Sequence, residues 1–360
     1  LANLGRLARA RRRLQEAIEL DPRHLDAHAA LATMCARVGD AEAARGHADM
    51  VLAQVPDHPI ALTALSNLAV RAGDFAEAEP RLRTLLERPD LLPVNRAVAQ
   101  ALLGEALHGL GRPTEALAAW QASNGLMHVL HAPRLSEPSH TRREAIDRAI
   151  RYFESRPAPL GALPAGPAPV KAHAFLTGFL RSGTTLVGQV LAAHPEVVTL
   201  DEQPTLAPVA RRLLFGPEGP AALATAGPSD QAAYWQAVSR LAPPLEGRTL
   251  VDKMPMDVVN LAAIARLFPH AVVILVRRDP RDVVLSCFRR TFRPNADTFR
   301  MTTLEDAART YAQAMRLADL CLEQLPLNTH ELRYEDLVAD FDGEARRLCA
   351  TLGLGWTEEL

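Results

Sequence analysis

Two fold classes follow one another in this 360-residue chain: an α-helical repeat array, then a three-layer α/β domain built on a parallel sheet. Three observations predict this order. Gly5, Gly39 and Gly73 recur every 34 residues, with Ala10, Ala44 and Ala78 in the same step. Pro157, Pro159, Pro164, Pro167 and Pro169 then crowd into thirteen residues. Beyond them, short apolar and β-branched runs alternate with helical patterns, which is how a parallel sheet with crossover helices reads in sequence.

Each repeat unit reads as two helices, the first carrying Leu31 or Leu65. The glycine ends that helix in a tight turn. The alanine sits where the second helix must approach the first closely, and Pro22 or Pro56 closes the unit because proline cannot continue a helix. Gly111 and Ala116 continue the series after 38 residues, so about four residues are expected as an insertion near Pro89–Val94. Gly104, Gly109 and Gly111 lie between helices and make no nucleotide loop. The Arg11–Arg13 run reads as a solvated helix face. The period and the small residues resemble the tetratricopeptide repeat, although Cys35 and Ala69 stand where that motif has its tyrosine. The resemblance implies a concave surface for a peptide or protein partner.

A further helical stretch near 140–155 completes the expected repeat region, residues 1–155. Residues 156–172 form a Pro-rich, semi-rigid linker. Composition excludes little else. The formal net charge is −2, so no bulk field favours nucleic acid. No apolar run approaches the ~20 residues of a membrane-spanning helix. Four scattered cysteines, Cys35, Cys287, Cys321 and Cys349, show no zinc spacing and read as buried thiols. A reducing, cytoplasmic location is therefore expected. The chain starts at Leu1 and ends at Trp356–Leu360 without an evident stop, so a fragment truncated at both ends is expected.

From residue 173 onward the chemistry begins. His173–Gly178 reads as a buried strand, Phe179–Thr185 as a tight loop and Leu186–Ala193 as a helix. The run Gly178-x4-Gly183-Thr184-Thr185 looks like a Walker A loop in which Thr184 replaces the lysine. A phosphate can still sit there, held by the N–H groups of Ser182–Thr185 at a helix N-terminus, by the hydroxyls of Ser182, Thr184 and Thr185, and by Arg181. Ala271–Val276 reads as a second strand, followed by Arg278-Asp279-Pro280-Arg281-Asp282 and a helix carrying Ser286 and Arg290. An arginine fork with a hydroxyl can hold a separate phosphate. Val197–Leu200 and Thr249–Val251 are further strands, ending in Asp201-Glu202 and Asp252-Lys253. Only Lys171 and Lys253 are lysines, against 38 arginines. His194 reads as a helix-ending histidine.

Arg181-Ser-Gly-Thr-Thr185 opening a helix, then Arg278-Asp-Pro-Arg-Asp-x-x-x-Ser286 after a strand, resembles the paired nucleotide motifs of the sulfotransferase superfamily, tyrosylprotein sulfotransferases and tetratricopeptide fusions in particular. The likeness spans residues 173–360 and departs at Leu180, where the tyrosylprotein enzymes have proline. It implies 3′-phosphoadenosine-5′-phosphosulfate (PAPS) as co-substrate, no metal, and a hydroxyl acceptor, a protein tyrosine being one option. Arg181, Ser182, Gly183, Thr184 and Thr185 then match the 5′-phosphosulfate loop. Arg278, Ser286 and Arg290 match the 3′-phosphate binders, and Tyr334 a tyrosine near the cofactor. Glu202 matches the base and Lys253 the lysine on the transferring group. Asp201 stands as an alternative base, and both acids could instead cap a helix. Two other functions stay open: a repeat scaffold whose nucleotide-binding domain is inactive, and a kinase, which Thr184 disfavours.

Overall fold

A computed structural model describes residues 2–135, 142–159, 161–164, 166, 168–292, 295 and 298–358. Pro167 of the expected linker, Leu1 and Leu360 lie outside the described residues. The chain divides into two compact units, residues 1–137 with 288–303, and residues 138–287 with 304–360.

The first unit is helical. Helix α1 runs Ala2–Leu20, and two antiparallel pairs follow: α2 (Leu25–Val38) with α3 (Ala41–Leu52), and α4 (Pro59–Ala72) with α5 (Phe75–Glu87). Helices α6 (Pro93–Gly109) and α7 (Pro113–Leu135) form a third, longer pair. Gly39 and Gly73 end α2 and α4 at φ 86° and 84°, left-handed values that a side chain disfavours. Ala44, Ala78 and Ala116 are fully buried, each at the helix crossing its repeat position requires. Gly104 has a packing role, since a Cβ there would stand 2.3 Å from the Trp120 ring.

The first copy departs from the expected pattern. Gly5 lies inside α1 rather than ending a helix, and Ala10 is exposed. The extra residues of the third copy do not fall near Pro89–Val94 either, since Pro59 opens α4 and Pro93 opens α6, still 34 residues apart. They lengthen a helix, since α6 has 17 residues where α4 has 14.

The second unit begins with α8 (Arg142–Glu154), which the sequence pattern alone groups with the repeats. The amphipathic pattern correctly says helix. What it cannot say is which surface the face of Ala145, Ile146, Ala149 and Phe153 covers. In the structure α8 bonds to α14 (Leu304–Gln324): Gln324 Nε2 donates to Phe153 O at 3.0 Å and Arg316 pairs with Glu154 at 3.1 Å.

Five strands then alternate with helices. They are β1 (Ala172–Gly178), α9 (Thr184–Ala193), β2 (Val197–Asp201), α10 (Ala207–Leu213), α11 (Pro228–Ser239), β3 (Thr249–Lys253), α12 (Leu261–Leu267), β4 (Val272–Arg277), α13 (Pro280–Arg289), α14, β5 (Asn328–Arg333), α15 (Tyr334–Ala339) and α16 (Phe341–Thr351). The sheet is wholly parallel in the order β2-β3-β1-β4-β5. Side-chain alternation sends Leu176, Val251, Ile274 and Leu332 to one face, where they pack with Val187 and Leu191 of α9 and with Leu348 of α16. The other face carries His173, Phe175 and Asp252, covered by Tyr234 of α11 and by Phe268. Helical elements thus cover both faces, and the three central strands, β1, β3 and β4, are almost continuously buried.

Candidate functional site

Parallel sheets bind ligands where strands end, because the helix-opening N–H groups and the loops gather there. In this sheet every strand carries at least one predicted site residue at its carboxyl end. Read along the sheet edge these are Glu202 after β2, Lys253 ending β3, the Arg181–Thr185 loop after β1, Arg278 after β4 and Tyr334 after β5.

The loop is tightly specified. Thr177 Oγ1 donates to the carbonyls of Met254 and Pro255, at 3.1 and 2.7 Å, tying the end of β1 to the turn after β3. Gly178 has no room for a Cβ, which would lie 2.5 Å from the Val276 carbonyl oxygen. The chain turns through Arg181 at φ 67° and Gly183 at φ 106° into α9. The first bond of that helix runs from Val187 N–H to Gly183 O at 3.2 Å, so the N–H groups of Gly183, Thr184, Thr185 and Leu186 precede the ladder. These are donors an anion can take.

Ser182 departs from its expected role. It is 1% exposed, and both its N–H and its hydroxyl donate to Phe179 O, at 3.2 and 2.8 Å. The hydroxyl braces the loop from behind. Thr184 is buried and Thr185 exposed at the helix opening.

Arg278 lies across the Tyr334 ring, with its guanidinium carbon 4.5 Å from the ring centroid. Its Nη1 reaches Arg181 O at 3.4 Å and its Nη2 reaches Asp282 at 3.3 Å, while Nε is buried without a partner. Tyr334 in turn covers Gly183, where a Cβ would meet ring carbon Cδ2 at 2.5 Å. Arg181 Nε donates to Ser286 Oγ at 3.0 Å. Arg181, Gly183, Arg278, Ser286 and Tyr334 are therefore brought together. Arg290 belongs to the first unit. It follows α13 in the 288–303 segment of the first unit, where it lines a pocket with Asn124, Met127 and Phe299.

Lys253 is 3% exposed, with its stem against α9 and its ammonium at the strand end. Nζ lies 2.9 Å from Glu202 Oε1 and also pairs with Asp201 Oδ1. Both acids are largely exposed, at 56% and 75%. Neither caps a helix. Glu202 is held at φ 50°, and its N–H donates to Lys253 O at 2.8 Å. His194 is buried away from this edge, with Nε2 2.9 Å from Gly355 O and Nδ1 accepting from Glu196 N–H.

Sequence reasoning missed the groups beneath Lys253. Asp252 is 1% exposed and accepts from Thr205 Oγ1 at 2.5 Å and Tyr234 Oη at 2.9 Å. His173 Nε2 stands 2.8 Å from the Tyr234 hydroxyl, whose proton goes to Asp252, so His173 is the Nε2–H tautomer. Burial pushes the Asp252 carboxyl up to about 6 and drives His173 down to about 3. Asp257 rises to about 7 through burial and the neighbouring Asp252 charge. The available signal was an acid within a buried strand run. All four cysteines are buried, with Cys287 and Cys321 pushed up to about 12 by desolvation. Among the described residues no cluster of three or more His, Cys, Asp or Glu could hold a metal.

The sulfotransferase family matches residues 174–358, and tetratricopeptide repeats match residues 1–68 and 63–123. The chain belongs to the sulfotransferase family. Protein-tyrosine sulfotransferase 1 of Danio rerio is 29% identical over 200 residues, covering 51% of this chain and 54% of that protein. Nodulation protein NoeE of Sinorhizobium fredii is 30% identical over 220 residues, 52% of this chain and 51% of that protein. An uncharacterised Aquifex aeolicus protein is 24% identical over 366 residues, 96% of this chain and 46% of its own. The chain thus spans about half the length of these curated relatives.

The residues fit a nucleotide carrying two separated phosphates. The buried, unpartnered Arg278 Nε and the helix-opening N–H groups are two donor sets on adjacent strands, β4 and β1.

Proposed function

We propose that this chain moves a sulfuryl group from PAPS to a hydroxyl acceptor, with a protein tyrosine as one acceptor and the repeats holding a peptide or protein partner. In this reading the N–H groups of Gly183, Thr184 and Thr185 and the Thr184 and Thr185 hydroxyls bind the 5′-phosphosulfate. Arg278 and Ser286 bind the 3′-phosphate, and Tyr334 keeps Arg278 in place. Glu202 accepts the acceptor's proton as its oxygen bonds to sulfur. The bond from sulfur to the bridging oxygen breaks, and Lys253 neutralises the charge left there. The products are a sulfate ester and adenosine 3′,5′-bisphosphate.

The observation that carries this reading is the buried Lys253 ammonium, 2.9 Å from Glu202 at the end of the strand beside the phosphate loop. The pair sets the carboxylate and the ammonium side by side where the acceptor oxygen and the bridging oxygen would meet them. Glu202→Gln keeps the shape and removes the basicity. Turnover should fall by ~10²–10⁴-fold, with calorimetric affinity for adenosine 3′,5′-bisphosphate unchanged. Near-normal turnover would defeat this assignment. Asp201 would then be next, because it too pairs with Lys253. Transfer of labelled sulfur from PAPS separates an active enzyme from an inactive scaffold.

A further inference from the structure

Glu202 adopts φ 50°, a left-handed conformation that a residue with a side chain holds only when its surroundings fix it. One restraint is the bond from its N–H to Lys253 O. The others lie in the turn that follows. Gln203 Nε2 donates back to Asp201 O at 2.9 Å, and Thr205 N–H donates to Gln203 O at 2.8 Å. Thr205 then passes beneath the sheet edge, 1% exposed, where its hydroxyl donates to Asp252 Oδ2 at 2.5 Å.

Asp252 immediately precedes Lys253 in β3. Alternation sends the Lys253 side chain toward α9 and the Asp252 side chain to the opposite face. The surroundings there are costly for a carboxylate. Tyr234 donates to the oxygen already used by Thr205, Oδ1 has no partner, and burial pushes the carboxyl up. Among the described residues no arginine, lysine or histidine forms an ion pair with Asp252. A buried acid without a cation destabilises a fold, and an apolar residue of similar size would pack there at lower cost. Tyr234 could be satisfied by any neutral acceptor. What a fixed carboxylate on β3 does in addition is clamp Thr205, and so the turn that carries Glu202, to the same strand that carries Lys253.

We infer that Asp252 and Thr205 are positioning residues for Glu202, holding its strained turn so that its carboxylate stays beside the Lys253 ammonium. The inference rests on the reading of Glu202 as the base. Neither residue touches substrate in this account.

The test uses the whole chain, with PAPS as donor and 4-nitrophenol or a tyrosine peptide as acceptor. Thr205→Val keeps the volume and removes the donor, while Thr205→Ser keeps the donor. A slack turn misplaces the base by a fraction of an ångström, so Thr205→Val should lower kcat by roughly 10–100-fold. Affinity for adenosine 3′,5′-bisphosphate should stay unchanged, and Thr205→Ser should restore most of the rate. In a Glu202→Gln background, Thr205→Val should change turnover by less than about twofold, because residues acting through one group are not additive. An equal fractional loss in both backgrounds, or an undiminished kcat in Thr205→Val, overturns the proposal. Full turnover in Glu202→Gln would instead sink the base assignment alone. Amide hydrogen exchange supplies a readout independent of any acceptor. The Glu202 N–H should exchange at least about tenfold faster in Thr205→Val and in Asp252→Asn, with strand β3 still protected. Unchanged exchange at Glu202 overturns the clamp whatever the kinetics.

Discussion

Gly183→Ala tests whether the phosphate loop and the second phosphate site are one mechanical unit. Two costs can be worked from the structure. The residue stands at φ 106°, where an alanine is strained by ~1–3 kcal/mol. Its Cβ would also lie 2.5 Å from Tyr334 Cδ2 and 3.2 Å from Cε2. Carbon atoms prefer ~3.5 Å or more, so the ring must retreat by roughly 1 Å. That ring supports the Arg278 guanidinium at 4.5 Å, so the arginine loses its platform as well. Loss of one charge-assisted phosphate contact is worth ~1.5–3 kcal/mol, which weakens adenosine 3′,5′-bisphosphate binding roughly 10- to 150-fold. The strain should also lower the Tm by roughly 2–10 °C for a domain of this size. Isothermal titration and thermal unfolding of the full chain read the two effects separately. Gly104→Ala is the control, because its Cβ would meet Trp120 in the helical unit at 2.3 Å. It should lower the Tm and leave affinity alone. If Gly183→Ala binds the bisphosphate within about twofold of the parent, the coupling through Tyr334 is wrong.

Arg278→Ala should weaken the 3′,5′-bisphosphate by ~1.5–3 kcal/mol and barely affect a nucleotide without the 3′-phosphate; equal loss for both ligands removes Arg278 from that role. Turnover should survive a strong chelator, since Lys253, Arg181 and Arg278 supply the cations of the proposed site; loss with rescue by magnesium would count against it. Asp257→Asn should change how stability depends on pH. The Asp257 carboxyl titrates at about 7 in the fold against an ordinary 3.8, so the unfolded chain releases its proton first and stability falls as pH rises from about 4 to 7. His173, held near 3, acts in the opposite sense, removing stability as pH drops below 6.5. Asp252, raised to about 6, acts with Asp257, so the test is a difference: in denaturant melts the change in stability from pH 5 to pH 8 should be less unfavourable in Asp257→Asn than in the parent, and an identical change in both would refute the assignment.

Much of the site was legible because it consists of strand ends. A buried β-branched run followed by a polar tight turn marks where a parallel strand stops, and the residue types found there state the chemistry. The roles of Gly39, Gly73, Ala44, Ala78 and Ala116 were legible for a similar reason, because the helix crossing admits only small side chains. Three features were not. The apolar stripe of α8 calls for a partner without naming one, so its attachment to α14 is a tertiary fact. Ser182 has the residue type of a phosphate ligand, yet the turn through Arg181 points its hydroxyl back to Phe179, and composition does not encode that direction. Asp252 was hidden by its neighbour: in Asp252-Lys253 the lysine attracts attention, while alternation places the acid on the other face.

Strand order adds a physical argument that no single motif contains. Neighbouring strands stand ~4.8 Å apart, and the sheet runs β2-β3-β1-β4-β5. The proposed proton acceptor and the lysine therefore occupy the first two strand ends, the loop for the 5′-phosphosulfate the third, and Arg278 with Tyr334 the last two. PAPS has the same linear order, with its sulfuryl group beyond the 5′-phosphate and its 3′-phosphate on the other side. A donor laid along this edge presents sulfur toward β3 and β2, and only in that direction do Glu202 and Lys253 meet it. Two residues of this edge that bear side chains, Arg181 and Glu202, hold positive φ, and in the proposed reading they flank the sulfur. Strain placed there fixes geometry before the donor arrives, at a cost the surrounding bonds must offset. Substitutions at β2 and β3 should accordingly act on kcat, and those at β4 and β5 on donor affinity. A Glu202 variant that loses donor affinity, or an Arg278 variant that loses only turnover, would reverse the direction in which the donor lies.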